Sequence, residues 1–95
     1  MEQEIKVLIL QSGEILIAQV EEVSVLDIGD PNCKLISPYL LEESTESTTP
    51  NMNPWLGLYT DDNEVMMASD KIVTIVEPHK SIIDEYLKRA ITTDD

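Results

Sequence analysis

Residues 5–26 read IKVLILQSGEILIAQVEEVSVL, and this stretch decides the fold. Residues 5–10 are a strand candidate, apolar but for Lys6. Residues 11–14 (QSGE) follow as a tight connection, with Gly13 able to take a positive φ. Residues 15–26 read as a second, longer strand. Its later half alternates, with Val20, Glu22 and Ser24 set against Glu21, Val23 and Val25. Its first half is apolar on both faces, as are residues 7–10. One buried face cannot satisfy such a hairpin, so a helix, a second sheet or another subunit must cover the other.

Beyond this hairpin the chain continues strand after strand. Residues 27–32 are a turn by composition. Residues 33–41 (CKLISPYLL) read as a third strand, with Pro38 placing an edge, a bulge or a bend. Residues 42–53 (EESTESTTPNMN) carry almost no apolar content and read as a mobile acidic loop. Their Ser/Thr density admits phosphorylation, but a solvated loop is the simpler reading. Residues 54–59 (PWLGLY) are a short fourth segment, with Trp55 and Tyr59 assigned to core packing. After a turn at 61–63, residues 64–68 (EVMMA) resume the sheet. A tight turn at 69–71 leads into 72–76 (IVTIV). The profile is that of a small barrel or rolled sheet.

The C-terminus changes period. Ile82, Ile83, Tyr86, Leu87 and Ala90 share one helix face. Pro78 suits a first turn, Ser81 and Asp84 resemble a capping pair, and Lys88 and Arg89 suit the negative end of the dipole. A helix over about 78–91 is therefore expected, lying as a lid on the doubly apolar hairpin, with residues 92–95 frayed.

Composition bounds the rest. Ninety-five residues make one domain, 1–95, with 11 Ile, 10 Leu, 7 Val and no Phe. Nineteen acids against six bases give −13, with no basic stripe of the kind that phosphate backbones or anionic membranes require. The plain reading of that charge is solubility. A ring of Lys contributed by several subunits stays open. The single cysteine, Cys33, excludes a disulfide framework within the chain and reads as a small buried side chain. No apolar run reaches spanning length, and the start is acidic where a signal peptide is basic, which implies a cytoplasmic protein and no membrane partner.

Catalytic chemistry finds no foothold. His79 is the only histidine and reads as a surface or cap residue. Adjacent acids at 21–22, 42–43, 61–62 and 94–95 face opposite ways on a strand or lie in turns. Residues 61–64 (DDNE) lack the spacing of a calcium loop, and no phosphate-binding glycine loop occurs. No catalytic residue, metal or cofactor is assigned, and no enzyme is expected. Of Met66 and Met67, adjacent on a strand, one faces the core and the other faces out, where it is a candidate subunit contact or simply an exposed Met.

Two segments carry a family resemblance. Residues 6–23 (KVLILQSGEILIAQVEEV) resemble the first motif of the Sm/Lsm proteins: a strand, a turn ending at Gly13, then a long bent strand. Residues 65–76 (VMMASDKIVTIV) resemble the second: strand, tight turn, strand. With its helix at the C-terminus, the layout is most similar to the Sm-like proteins of marine cyanophages. The resemblance implies a mainly β fold, a strongly bent five-stranded open barrel of the SH3 type with a C-terminal helix. It also implies a homo-oligomeric ring of about five to seven copies, in which the last two strands of neighbouring subunits pair. Val65, Met66, Met67, Ile72, Val73, Thr74 and Ile75 would then form the subunit interface, and single-stranded RNA would bind near the pore. The same resemblance implies host-cell cytoplasm for a phage protein.

The family's RNA-contacting positions fall on Ser24 and Ile28 in the first motif and on Ala68 and Ser69 in the second, followed by Asp70 and Lys71. The usual Asp and Asn are displaced, with Asp27 and Asn32 out of register. The Arg-Gly pair is absent, and Lys71 is the one base beside the loop. Two readings follow: an Sm-like ring acting on RNA, or an acidic assembly module that has lost RNA binding and docks a basic host or phage protein.

Overall fold

The computed structural model describes residues 4–23, 31–47, 49–57 and 59–91. The chain runs β1 (Ile5–Leu10), β2 (Ile15–Glu22), β3 (Cys33–Glu42), β4 (Asn51–Pro54), β5 (Glu64–Met67), a 3-10 turn (Ser69–Lys71), β6 (Ile72–Val76) and α1 (Lys80–Ile91). The six strands form one antiparallel sheet ordered β4-β3-β2-β1-β6, with β5 also on β3. β4 and β5 share the side of β3 that faces away from β2. β5 pairs with Cys33–Ile36 and β4 with Tyr39–Glu42, one after the other along the strand. Among the described residues β5 and β6 do not pair with each other, so the sheet is open.

The β1–β2 turn forms as its sequence dictates. The Gly13 N–H donates to the Leu10 carbonyl at 2.9 Å, the Leu10 N–H donates to Glu14 at 2.9 Å, and Gly13 sits at φ +94°. The pairing Leu8↔Leu16 sets the register. Successive residues Leu16, Ile17 and Ala18 are all fully buried, which is the doubly apolar pattern of the sequence realised. Leu16 and Ala18 join Leu8, Leu10 and Leu35 on one face. Ile17 joins Met52 and Tyr86 on the other, beneath Ile82, Leu87 and Ala90 of α1. The helix is the expected lid.

Tyr86 anchors that lid. Its ring meets Tyr39 edge-on, with centroids 5.9 Å apart. Its hydroxyl lies 2.9 Å from the Ser37 carbonyl and 3.1 Å from that of Ile36, and donates into this pair. β3 bends at Ser37, whose φ is +52°. The bend falls one residue before Pro38, whose ring disfavours the right-handed helical conformation in its predecessor; the positive φ goes beyond that preference. Across from the bend, β2 slips register between Ile17 and Gln19. Burial, the largest influence on this phenol, pushes it up to about 12, while the Gln19 backbone pulls it down in part.

Five sequence expectations change. The sheet has six strands, because residues 51–54 of the expected loop form β4. Met52 there is 3% exposed, and that one side chain plus the ladder to Tyr39–Glu42 offsets the polar composition around it. Residues 55–57 are a turn, and Tyr59 is 81% exposed where core packing was expected; Trp55 does pack on the core. α1 begins at Lys80, not Pro78. Ser81 lies inside the first turn and caps nothing, since the Ile82 and Ile83 N–H groups bond to the His79 carbonyl and Asp84 pairs with Lys80. β2 ends at Glu22, and residues 24–26 of the longer expected strand lie outside the described residues.

Candidate functional site

Two features converge at the open side of the sheet: a pair of strand edges and the turn that joins them. β6 pairs with β1 along one edge and β5 with β3 along one edge; their other edges meet no strand among the described residues. β6 (IVTIV) holds no charged residue, although edge strands of monomers ordinarily carry such protection. Val73 is 63% exposed, Ile75 49% and Val76 44%, while on β5 Met66 is 46% exposed. Val65 and Met67 turn inward onto the core cluster, and Ile72 packs there too. Of the residues expected at an interface, then, Met66, Val73 and Ile75 face out, Thr74 is exposed between the last two, and the other three support them from within. Val73 is skipped in the β1–β6 register, a bulge that pairs Ile9 with Thr74 and Leu10 with Ile72.

A groove of about 680 Å³ runs beside β6, reaching Lys6 on β1, Val20 and Glu22 at the end of β2, Cys33 and Ser69. Lys6 forms an ion pair with Glu77, and this bond, the largest influence on it, raises the ammonium pKa. Cys33 is buried, which raises its thiol pKa, with Glu22 adding to the effect. A buried thiol held in its protonated form is a poor nucleophile.

The turn between the two edges is fixed from both sides. On one side the Ser69 N–H donates to Asn32 Oδ1 at 2.8 Å, and Asn32 Nδ2 donates to Ser69 Oγ at 3.1 Å. On the other the Gln11 N–H donates to the Lys71 carbonyl at 2.9 Å and Gln11 Nε2 to the Asp70 carbonyl at 3.0 Å. Ala68 accepts the Lys71 N–H at 3.1 Å and closes the turn. Ala68, Ser69 and Lys71 are thus brought together, with Asn32 as the partner that motif register overlooked. Its signal was an amide directly before a strand, where such side chains bond to nearby backbone. Ser24 and Ile28 lie outside the described residues. Lys71 shares a second groove, about 460 Å³, with Trp55, Met67, Leu10, Gln11 and Ser12. Trp55 Nε1 donates to Glu14 Oε2 at 3.4 Å. An aromatic beside Lys71 was not expected, because Trp55 lies sixteen residues upstream and is placed by the pairing of β4 with β3.

Among the described residues no group of His, Cys, Asp and Glu gathers as a metal site, and no helix is long and apolar enough to cross a membrane. No curated protein matches the chain. A family model matches residues 3–91, and its description, a family of unknown function (DUF6561), names neither Sm-like proteins nor a phage. That match spans nearly the whole sequence, and the chain belongs to the DUF6561 family.

Proposed function

We propose that this chain is a non-enzymatic assembly module of Sm-like architecture, in which β5 of one copy pairs with β6 of the next and the pairing closes into a ring. The observation that carries the reading is the pair of unpartnered edges dressed with Met66, Val73, Ile75 and Val76. Covering a half-exposed Val or Ile contributes roughly 1 kcal/mol, and each ladder bond adds to it. Head-to-tail pairing of two different edges makes either a ring or a filament, and a ring leaves neither of these two edges open. The strand neighbours β6-β1-β2-β3-β5, the Gly13 hairpin and the 3-10 turn before the last strand support the bent-barrel comparison. A charge of −13 per copy favours a basic protein as the ring's partner. Sedimentation velocity tests the assembly. Wild type is expected to run as a closed oligomer of about five to seven copies; a single-copy species at micromolar concentration sinks the proposal.

A second reading, single-stranded RNA at the turn, has one specific observation in its favour. Trp55 and Lys71 line one groove, and an aromatic face beside a cation is what an unstacked base requires. The missing Arg and the added Asp70 weigh against it. Anisotropy titration with U-rich and A-rich oligonucleotides at low salt decides. Salt-dependent binding lost in Lys71→Ala supports RNA; silence at low ionic strength, where attraction is strongest, removes it.

A further inference from the structure

A third groove, about 320 Å³, is lined by residues 37–39 of β3, Pro54 of β4, residues 55, 57 and 60–63 between β4 and β5, and Ala90 of α1. Pro38, Tyr39, Pro54 and Trp55 supply apolar and aromatic walls, and Asp61 and Asp62 supply charge; no Lys or Arg lines it. None of its lining residues belongs to β5 or β6, so edge pairing does not use it. Its walls are tied by the backbone. The Ser37 N–H donates to the Asn63 carbonyl at 2.6 Å, and the Trp55 N–H donates to the Pro38 carbonyl at 3.0 Å. The two non-glycine residues with positive φ among those described, Ser37 and Leu56, are the ones that turn the chain around it. The groove is therefore set before any ligand arrives, which lowers the ordering cost of binding.

We propose that this groove receives an arginine side chain from a basic partner protein, its guanidinium against Tyr39 and Trp55 and its charge on Asp61 and Asp62. Arginine is favoured over lysine by the wall chemistry. A planar, weakly hydrated cation stacks on aromatic faces and meets a carboxylate through two parallel hydrogen bonds, which an ammonium cannot do. Complementarity decides the occupant: an acidic groove without a base of its own, in a chain of charge −13. The inference deepens the protein-partner reading above and is independent of ring closure.

Trp55 is the only tryptophan and lines this groove and the Lys71 groove alike, so its emission reports binding and the Asp61/Asp62 variant assigns it to this groove. The probe is a short peptide carrying two arginines, titrated at physiological ionic strength beside a version with both replaced by the uncharged isostere citrulline. The arginine peptide is expected to give a saturable change in emission and the citrulline peptide none. Asp61→Asn with Asp62→Asn weakens binding roughly tenfold through loss of the charge-assisted bonds. Glu43→Gln with Glu46→Gln removes the same charge from a segment that does not line the groove, and stays within about twofold of wild type. The inference is overturned by no saturable change, by equal response to citrulline, by an unaffected Asp61/Asp62 variant, or by equal weakening in both double variants. The mass of the same samples reports ring assembly separately, so the two failures are told apart.

Discussion

The Tyr86 hydroxyl donates to the Ser37 carbonyl across 2.9 Å, joining the C-terminal helix to the positive-φ residue within β3. One side chain thereby serves two successive β3 carbonyls, those of Ile36 and Ser37. Tyr86→Phe keeps the ring and removes that service. Urea unfolding is expected to register a loss of about 1–3 kcal/mol, the cost of stranding buried polar groups. Tyr86→Ala, which also empties the space under the lid, costs about 3–5 kcal/mol.

The same phenol links stability to alkaline pH. Burial pushes Tyr86 up to about 12, whereas an unfolded tyrosine ionises near pH 10. The folded state therefore holds its proton longer, so this contribution is fully present below about pH 10 and is lost as pH rises toward 12. Phenolate absorbance of the wild type should show one tyrosine titrating late, together with unfolding. Tyr86→Phe should remove that late step.

Gly13 sits at φ +94° with open space where a Cβ would go. Gly13→Ala thus meets no clash and pays only for the backbone conformation, about 1–2 kcal/mol. Thermal unfolding measures it. A neutral result means that the hairpin turn relaxes to another type.

Asn32 clamps Ser69 through two hydrogen bonds. Asn32→Ala is expected to leave global stability within about 1 kcal/mol, since Ser69 is exposed and Asn32 only half-buried. The Ser69 amide should nonetheless exchange its hydrogen faster, because its one acceptor is gone. Unchanged protection at Ser69 counts against the clamp.

Ile75→Asp places a charge on the exposed β6 edge, and Val73→Pro removes an edge N–H at a bulge, where proline is tolerated. Both variants should keep the far-ultraviolet spectrum of the wild type and lose its assembly. Retention of the assembled mass in both would place the contact elsewhere.

The hairpin, its glycine turn, the inward–outward split of Met67 and Met66, and the helix over the second face were all legible in periodicity. Leu16, Ile17 and Ala18 in a row required cover on both faces, by a helix, a second sheet or another subunit, and the helix supplies it. β4 was not legible, because Asn51-Met52-Asn53 offers a single apolar side chain and owes its strand character to the β3 ladder. Nor was the Ser37 kink fully legible: Pro38 announced a bend, but the Tyr86 bond that satisfies it spans 49 residues. The groove residues come from segments whose closeness depends on that same bend. Asn32 was visible beside its motif, yet its partner, Ser69, lies 37 residues on.

Cross-linking between engineered cysteines tests the central claim most directly. In a Cys33→Ala background, Met66→Cys is combined in turn with Val73→Cys, Thr74→Cys or Ile75→Cys and oxidised; a disulfide forms only where the Cα atoms approach within about 7 Å. Paired edges predict that at least one combination yields a ladder of bands in steps of 10.7 kDa that stops at the closed ring. Oxidised chains that all migrate as single copies contradict it.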